Sequence, residues 1–304
     1  MATCIFSGSS SQSLTSLIAR SLGKSLSKAK IQRFPNHECK VTVQSSVKNS
    51  RCILVQSISS PADENLVELL FFCDALKREG ASEVIGIIPY LGYARQNKQH
   101  LKGESVSLGV VANVLKTAGF DKIITVTIHK QSSKKLFSMP FKNIDATSFL
   151  SKKIFQYLKQ NKIIKKGSDC AVVAPDRGAV VQARRFSNTS VVVVNKERNK
   201  QDGSIAIHSI FGSVEGKVAI IVDDVVTSGN TLIESAKLCV KKGASLVFAA
   251  VVHQDLIEDT IPKLEKSPIS KLFTTDTIRQ DIQSAKLIEF SVSKLIASKI
   301  RYLL

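Results

Sequence analysis

The sequence predicts an α/β protein built from two similar domains, each a mainly parallel β-sheet flanked by helices. Short apolar segments alternate with segments of helical spacing, which is typical of parallel strands joined by helical crossovers. The length of 304 residues suits two domains. Gly119 and Gly243 lie 124 residues apart, as do His129 and His253, and in each half the glycine and the histidine bracket a strand that follows a helix. We therefore expect two copies of one domain.

In the first half, apolar segments with strand character are separated by helical patterns that end at glycines. Helical spacing covers Leu14–Leu22 and Leu66–Leu76, and Gly23 and Gly80 follow as C-terminal signals. A third helix is predicted over Ser107–Thr117. The predicted strands are Thr3–Ser7, Val41–Val43, Cys52–Ser57, Val84–Pro89 and Lys122–Ile128, the last of which ends at His129.

The second half repeats this plan with one shorter loop. Helices are predicted over Ala179–Arg185 and in a segment that ends at Lys242. We place the junction near residues 143–168 and the domains at 1–146 and 147–304. In each half, a loop leads from a strand into the helix that ends at Gly119 or Gly243. This loop is about ten residues longer in the first half. The predicted strands are Ala171–Ala174, Val191–Val194, Val218–Val222 and Leu246–Val252.

The net charge of +18 favours polyanionic partners such as nucleic acids, anionic surfaces or highly phosphorylated substrates. The lysines are dispersed and are not interleaved with aromatic residues, and the chain has no tryptophan and four tyrosines. Platforms on which bases could stack are therefore poorly supported, and we expect no nucleic-acid partner. No segment approaches the roughly 18 apolar residues of a membrane span, so we expect no membrane partner.

The six cysteines are scattered, nearly all within apolar stretches, and none forms a Cys-x-x-Cys pair. This pattern predicts that the cysteines are small buried apolar side chains of a protein in a reducing compartment. It does not favour zinc ligands or disulfides. The first residues lack a basic region followed by a long apolar run, so we expect no signal peptide. A cytoplasmic location is the expectation.

One stretch of the second half, Ala219–Thr231, reads as a phosphate site attached to a pair of acids. A buried strand over Ala219–Val222 would deliver two carboxylates, Asp223 and Asp224, to the edge of the sheet. The chain then turns through small and hydroxyl-bearing residues into a helix beginning near Asn230 and Thr231. Backbone N–H groups at a helix start bind anions, and the two acids suit a ribose diol or hydrated magnesium. The alternative is an ordinary strand–helix turn with a capping aspartate.

This stretch resembles the phosphoribosyl-diphosphate loop shared by phosphoribosyltransferases and ribose-phosphate diphosphokinases. Other segments along nearly the whole chain resemble signatures of the diphosphokinases: Pro61–Leu70, Ile88–Gln96, Ala174–Gly178, Lys196–Arg198 and Thr275–Ile278. The resemblance implies two tandem phosphoribosyltransferase-like domains and transfer of the diphosphoryl group of ATP to O1 of ribose 5-phosphate. The products would be 5-phospho-α-D-ribose 1-diphosphate and AMP. It also implies Mg²⁺ as the cofactor and assembly into homo-oligomers, as dimers or hexamers.

The resemblance also implies roles for individual residues. The implied catalytic pair is Lys196 and Arg198, in a polar loop over Asn195–Gly203 that would close over the phosphates. The implied ATP-binding residues are Phe34, Asn36, His37, Glu38, Arg95 and Gln96. The implied ribose 5-phosphate residues are Asp223, Asp224, Thr227, Ser228, Gly229, Asn230 and Thr231. The residues associated with magnesium are His129 and Asp176.

Several positions depart from the family pattern. Asn36 and His37 stand where the family has Asp and Gly, Asn97 stands where an Asp is usual, and Thr227 replaces an Asp of the bacterial and animal enzymes. Three readings therefore stay open: an active diphosphokinase of a divergent subclass, a non-catalytic regulatory paralogue, and a phosphoribosyltransferase. The last would need a base-binding hood, which the sequence does not show, and it would leave the first domain unexplained.

Overall fold

The structure is a computed structural model that describes residues 1–99, 101–187, 190–198 and 205–304. The chain forms two compact units. Unit 1 contains Met1–Asp145, Thr277–Arg279 and Ser291–Leu304, and unit 2 contains Ala146–Asp276 and Gln280–Phe290. The described part of the chain has no helix long and apolar enough to cross a membrane.

Unit 1 is built on a parallel sheet whose strand order is β1-β4-β5-β6-β7. Each neighbouring pair runs parallel. The inner strands are nearly continuous apolar runs because both faces of such a sheet are covered. The strands are β1 (Thr3–Ser7), β4 (Arg51–Val55), β5 (Glu83–Ile88), β6 (Lys122–Val126) and β7 (Phe141–Ile144).

Helices and a separate hairpin surround this sheet. The hairpin pairs β2 (Ala29–Arg33) with β3 (Cys39–Val43) in antiparallel register, and β3 packs on α2. Helix α2 has acids in its first turn, where the helix dipole favours them, and buries one apolar face that includes Leu69 and Phe72. The helices of unit 1 are α1 (Gln12–Ser21), α2 (Ala62–Arg78), α3 (Ser107–Thr117) and α8 (Ser293–Ile300).

Unit 2 is built on a seven-stranded sheet of order β10-β9-β8-β11-β12-β13-β14. All pairs are parallel except β9 with β10. The strands are β8 (Cys170–Ala174), β9 (Val191–Arg198), β10 (Ile205–Phe211), β11 (Val218–Val226), β12 (Leu246–Gln254), β13 (Lys271–Thr275) and β14 (Leu287–Phe290). The helices are α4 (Thr147–Gln160), α5 (Val180–Phe186), α6 (Asn230–Lys241) and α7 (Thr260–Glu265).

The two sheets share one plan, as the spacing of the glycines and histidines predicts. Five parallel strands in the order β1-β4-β5-β6-β7 correspond to β8-β11-β12-β13-β14. In each unit two antiparallel strands follow the first strand along the chain: β2 and β3 form a separate hairpin, whereas β9 and β10 extend the sheet of unit 2. Gly119 and Gly243 both adopt positive φ values, of 107° and 82°, after a helix. The predicted α/β class is confirmed.

Several strand ends differ from the prediction, and three of them have a clear cause in the structure. Strand β11 continues to Val226 instead of ending at Val222, because its parallel pairing with β12 runs on to Gln254. Strand β9 continues to Arg198, because β10 pairs with it along that length. Strand β6 ends at Val126, because Thr127 has a φ of +42° that an extended strand does not accommodate.

The last segment of the chain completes unit 1. Helix α8 packs on α1, and Ile296 and Ile300 are fully buried. The carbonyl of Leu303 accepts a hydrogen bond of 2.5 Å from Nη1 of Arg51, which also forms a 2.5 Å ion pair with Glu83. The first and last parts of the chain therefore share one core.

All six cysteines are unpaired, as predicted. Four of them, Cys52, Cys73, Cys170 and Cys239, are buried, and burial raises the pKa of Cys73 to about 12. A thiol with so high a pKa is protonated and unreactive at neutral pH. These residues therefore serve the cores as small apolar side chains.

We expect Ile296→Ala to destabilise unit 1. The change leaves a cavity among fully buried neighbours, and such truncations cost about 2–5 kcal/mol. Urea unfolding followed by circular dichroism measures this loss. The matched control is Lys294→Ala, an exposed position on the same helix, which should change the unfolding free energy by less than about 0.5 kcal/mol. Equal effects of the two changes would contradict the placement of α8 in the core.

Candidate functional site

The central strand of unit 2 carries two adjacent carboxylates near its carboxyl end. Strand β11 lies between β8 and β12, and its first five residues are buried. Asp223 pairs in register with Val251 of β12, so the acids belong to the strand itself. The N–H of Asp224 donates to Oδ1 of Asp223 at 2.9 Å, and the N–H of Val225 donates to Oδ1 of Asp224 at 3.0 Å. These bonds hold both carboxyl groups against the backbone at the carboxyl edge of the sheet.

The local environment opposes ionisation of Asp223. Its pKa lies well above the ordinary aspartate range, first because burial removes the carboxyl from water and then because the carboxyl of Asp224 is adjacent. Asp176 adds a further repulsive contribution. A hydroxyl donor or a cation at this point would relieve the repulsion. The arrangement therefore fits a ribose diol or a metal ion.

The loop after β11 forms the N-terminus of helix α6, as predicted. Thr227, Ser228 and Gly229 connect the strand to a helix that begins at Asn230. Gly229 has a φ of +71°, and a Cβ atom there would lie 3.2 Å from Cγ2 of Thr260. No side chain caps the helix. The first N–H groups of α6 and the hydroxyls of the loop are therefore arranged as at anion-binding helix starts.

Two residues that sequence reasoning missed hold this edge of the sheet. Oγ1 of Thr260, in α7, donates to the carbonyl of Thr227 at 2.6 Å, and Thr260 is almost fully buried. Nε2 of Gln182, in α5, donates to the carbonyl of Asp223 at 3.2 Å. Neither lies in a recognisable motif, and each reaches the site only through the packing of its helix. A sequence signal for them does not exist.

Asp176 lies beside the carboxylate pair. It follows β8, which pairs in parallel with β11, so both strands bring their acids to the same edge of the sheet. One oxygen of Asp176, Oδ1, accepts the N–H groups of Gly178 and Ala179 at 2.8 and 3.1 Å. This pattern holds the turn before α5. Asp176 thus has a structural role in addition to its electrostatic effect on Asp223.

In unit 1, Arg95, Gln96 and His129 follow neighbouring parallel strands, β5 and β6. Arg95 is exposed, and the part of the chain that the structure describes offers it no ion-pair partner. Nε2 of Gln96 donates to Glu104 and to the carbonyl of Ser105, so it closes the long loop on itself. His129 is exposed just beyond the end of β6. These residues therefore lie at one edge of the sheet of unit 1.

Asn97, where the family pattern has an acid, is tied into the same edge. Its Nδ2 donates to Oγ of the buried Ser133 at 2.8 Å, whereas its buried Oδ1 has no hydrogen-bond partner in the described structure. Residue 100 of this loop lies outside the described residues. The loop from β5 to α3 spans residues 89–106, whereas residues 227–229 make the corresponding loop of unit 2. The longer loop of unit 1 is confirmed, and the difference exceeds the predicted ten residues because β11 extends past Val222.

The residues predicted to contact adenine form the tip of the β2–β3 hairpin. Phe34, Asn36, His37 and Glu38 are all exposed. The N–H of His37 donates to the carbonyl of Phe34 at 2.8 Å, and the N–H of Phe34 donates to the carbonyl of Glu38 at 2.9 Å. His37 has a φ of +67°, which explains why a glycine suits this position. His37 adopts this left-handed conformation although its Cβ atom makes the conformation less favourable than it is for glycine.

Lys196 and Arg198 lie on strand β9 and not in a loop. Their backbones pair with Ile207 and Ile205 of β10. The part of the predicted polar loop that covers residues 195–198 is therefore strand, whereas residues 199–204 lie outside the described residues, as do the side chains of residues 196–198. The prediction of a loop at Lys196 was wrong, because the sequence before β10 carries no clear strand signal.

The carboxylates of unit 2 fit a magnesium ion by their chemistry. Mg²⁺ is commonly bound by one or two carboxylates together with substrate phosphates and water. Asp223 and Asp224 supply such oxygens next to a loop suited to phosphate. The described residues contain no group of three or more His, Cys, Asp or Glu side chains in a metal-binding arrangement.

Comparisons with known proteins cover nearly the whole chain. Family models described as the N-terminal domain of ribose phosphate pyrophosphokinase and as a phosphoribosyl synthetase-associated domain match residues 3–119 and 168–304. A ribose-phosphate pyrophosphokinase of Fusobacterium nucleatum subsp. nucleatum is 34% identical over 97% of this chain and 93% of its own. Ribose-phosphate pyrophosphokinase 1 of Streptococcus mutans is 32% identical over 97% of this chain and 92% of its own. The crystal structure of phosphoribosylpyrophosphate synthetase from Mycobacterium smegmatis superposes with a TM-score of 0.90, at 28% identity, over 100% of this chain and 99% of that one.

We expect Asp223→Asn to stabilise the chain at about pH 7.5. Because the folded state raises the pKa of Asp223, ionising this carboxyl costs stability at every pH above its unfolded pKa of about 3.9. Asparagine keeps an oxygen for the N–H of Asp224 and removes the charge. The gain should be about 1 kcal/mol or more, which is about 2 °C in Tm. Thermal unfolding measures it.

The gain should shrink as the pH falls toward about 4 and below, because the carboxyl of the unfolded wild type then becomes protonated as well. Asp259→Asn is the matched control, since its side chain is 80% exposed and forms a long ion pair, of 3.9 Å, with Lys263. It should leave Tm unchanged at both pH values. A stabilisation by Asp223→Asn that is the same at both pH values would refute the electrostatic cause.

Proposed function

The chain belongs to the ribose-phosphate pyrophosphokinase family, and we propose that it transfers the diphosphoryl group of ATP to O1 of ribose 5-phosphate. The products are 5-phospho-α-D-ribose 1-diphosphate and AMP. The observation that carries the proposal is the carboxyl end of β11, where two adjacent carboxylates are followed, after a loop of three residues beyond the strand, by an anion-binding type of helix start. The match to ribose-phosphate pyrophosphokinases over 97% of the chain supports the same reaction.

Unit 2 provides the sugar-phosphate site in this proposal. Asp223 and Asp224 accept hydrogen bonds from the ribose hydroxyls, which relieves the repulsion between the two carboxyls. The 5-phosphate is bound by the loop Thr227–Thr231 and the N-terminus of α6. Thr227 in place of an acid suits this role, because a hydroxyl donates to a phosphate oxygen and an ionised carboxylate repels it.

Unit 1 provides the nucleotide site. Phe34 is 50% exposed at the hairpin tip and offers an apolar face to adenine, while Asn36, His37 and Glu38 offer polar groups around it. Arg95 offers a guanidinium fork to phosphate oxygens and Gln96 shapes its loop. The departures at Asn36 and His37 leave the turn intact, which supports retention of nucleotide binding.

Catalysis rests on positioning and charge neutralisation, with little covalent work for the protein. We assign Lys196 and Arg198 to the phosphates that are transferred, because lysine supplies a mobile point charge and arginine a planar fork. Magnesium, when bound, would neutralise phosphate charge. We propose His129 as a magnesium-associated residue of unit 1 and Asp176 as one of unit 2. We further propose that the protein is a cytoplasmic homo-oligomer based on dimers, up to a hexamer.

We expect the purified chain to form AMP and 5-phospho-α-D-ribose 1-diphosphate in equal amounts from ATP and ribose 5-phosphate with Mg²⁺. Chelation of the metal should stop the reaction, because the phosphate charge is then not neutralised. Chromatographic measurement of AMP, with and without inorganic phosphate in the buffer, tests this. Nucleotide binding with no AMP under any of these conditions would refute the proposed activity and favour a regulatory paralogue.

We expect Lys196→Ala to lower kcat by about a hundredfold or more, with KM values changed only a few-fold. The reason is that a charge acting on the transferring phosphates is needed in the transition state more than for binding. Lys237→Ala, at a surface ion pair with Glu234, is the matched control and should leave kcat unchanged. A large rise in both KM values at constant kcat would contradict a catalytic role for Lys196.

A further inference from the structure

The signature segment at the start of α2 carries three carboxylates that the proposed reaction does not use. They are Asp63, Glu64 and Glu68, here named the α2 carboxylates, and each contacts a different part of unit 1. Two of these contacts reach the elements that bear the proposed ATP-binding residues. We propose that the α2 carboxylates are positioning residues that hold the hairpin tip and the Arg95 loop in place for ATP.

Glu68 provides the rigid end of this arrangement. It is fully buried, and a buried carboxylate requires hydrogen-bond donors. Its Oε1 accepts the N–H of Ser9 at 2.7 Å and Nε2 of Gln56 at 2.9 Å, and its Oε2 accepts the hydroxyl of Ser9 at 2.7 Å. These bonds tie α2 to the turn after β1 and to the end of β4. Glu68 therefore cannot shift without breaking its hydrogen bonds with Ser9 and Gln56.

Arg33 connects the hairpin to this rigid point. It is the last residue of β2, directly before Phe34. Its Nη2 lies 3.0 Å from Oε2 of Glu64 and 3.9 Å from Oε2 of Glu68, and its Nη1 donates to the carbonyl of His37 at 3.2 Å. One guanidinium thus spans both α2 and the hairpin tip. A lysine in its place, with one compact ammonium, cannot make these contacts together.

Tyr93 connects the loop that bears Arg95 to helix α2. It lies two residues before Arg95, and its hydroxyl donates to Oδ1 of Asp63. Its backbone has a φ of +63°, a region that bulky residues rarely adopt, so the contact with Asp63 helps to hold an uncommon turn. The first turn of α2 therefore contacts both elements that bear proposed ATP-binding residues: Glu64 contacts the hairpin, and Asp63 contacts the loop that bears Arg95.

Arg33→Lys and Tyr93→Phe test this inference, which rests on the proposed function. Each should raise the KM for ATP about threefold or more, because the loss of one half-exposed charged contact loosens the element that it holds. The KM for ribose 5-phosphate and the Tm should stay at the wild-type values. Arg78→Lys is the matched control, because its exposed ion pair with Asp74 lies at the other end of α2.

Double variants test whether the contacts of Arg33 and Tyr93 with α2 act independently of each other. Arg33→Lys combined with Glu64→Gln should raise the KM for ATP no further than the larger single change, because each change weakens the same link between α2 and the hairpin. Arg33→Lys combined with Tyr93→Phe should multiply the two effects. An inactive wild type would refute the proposed function itself. An active wild type whose variants keep the KM for ATP, or raise both KM values together with a lower Tm, would overturn only this inference.

Discussion

The cost of placing two neighbouring carboxylates at the end of a buried strand is the constraint on which the second unit depends. The acids at Asp223 and Asp224 repel each other in a site from which water is largely removed. The strand that carries them tolerates this because its first five residues are buried between two parallel neighbours. Helix α6 begins after a loop of three residues that follows the strand, so the carboxyl pair and an anion-binding type of helix start lie at the same edge of the sheet.

The same scaffold occurs twice and bears different candidate residues in the two units. Both units have five parallel strands in the same order, with two antiparallel strands inserted after the first. In unit 2 the insertion bears Lys196 and Arg198, and in unit 1 it bears Phe34 to Glu38 at the corresponding hairpin. The short loop of unit 2 suits a phosphate, whereas the long loop of unit 1 bears Arg95. Duplication thus accounts for how one chain would handle a sugar phosphate and a nucleotide.

Much of the site was predictable because its residues lie in contiguous motifs. The sequence of Ala219–Thr231 predicted a tight turn at Gly229 and a helix start after it, and the structure shows both. The prediction erred where long-range pairing decides: the sequence does not show that β12 extends β11 past Val222, or that β10 draws Lys196 into a strand. Thr260 and Gln182 were missed for the same reason, since they contact the site from other helices.

By itself, the sequence determined the α/β class, the duplication, the family and the identity of most candidate residues, because apolar periodicity and local motifs are properties of neighbouring residues. Only the tertiary structure decided which distant groups meet. It showed that α8 completes the core of unit 1, that Asp176 acts on the pKa of Asp223, and that α2 holds Arg33 and Tyr93. Such contacts depend on burial and distance, which arise only when the whole chain is packed.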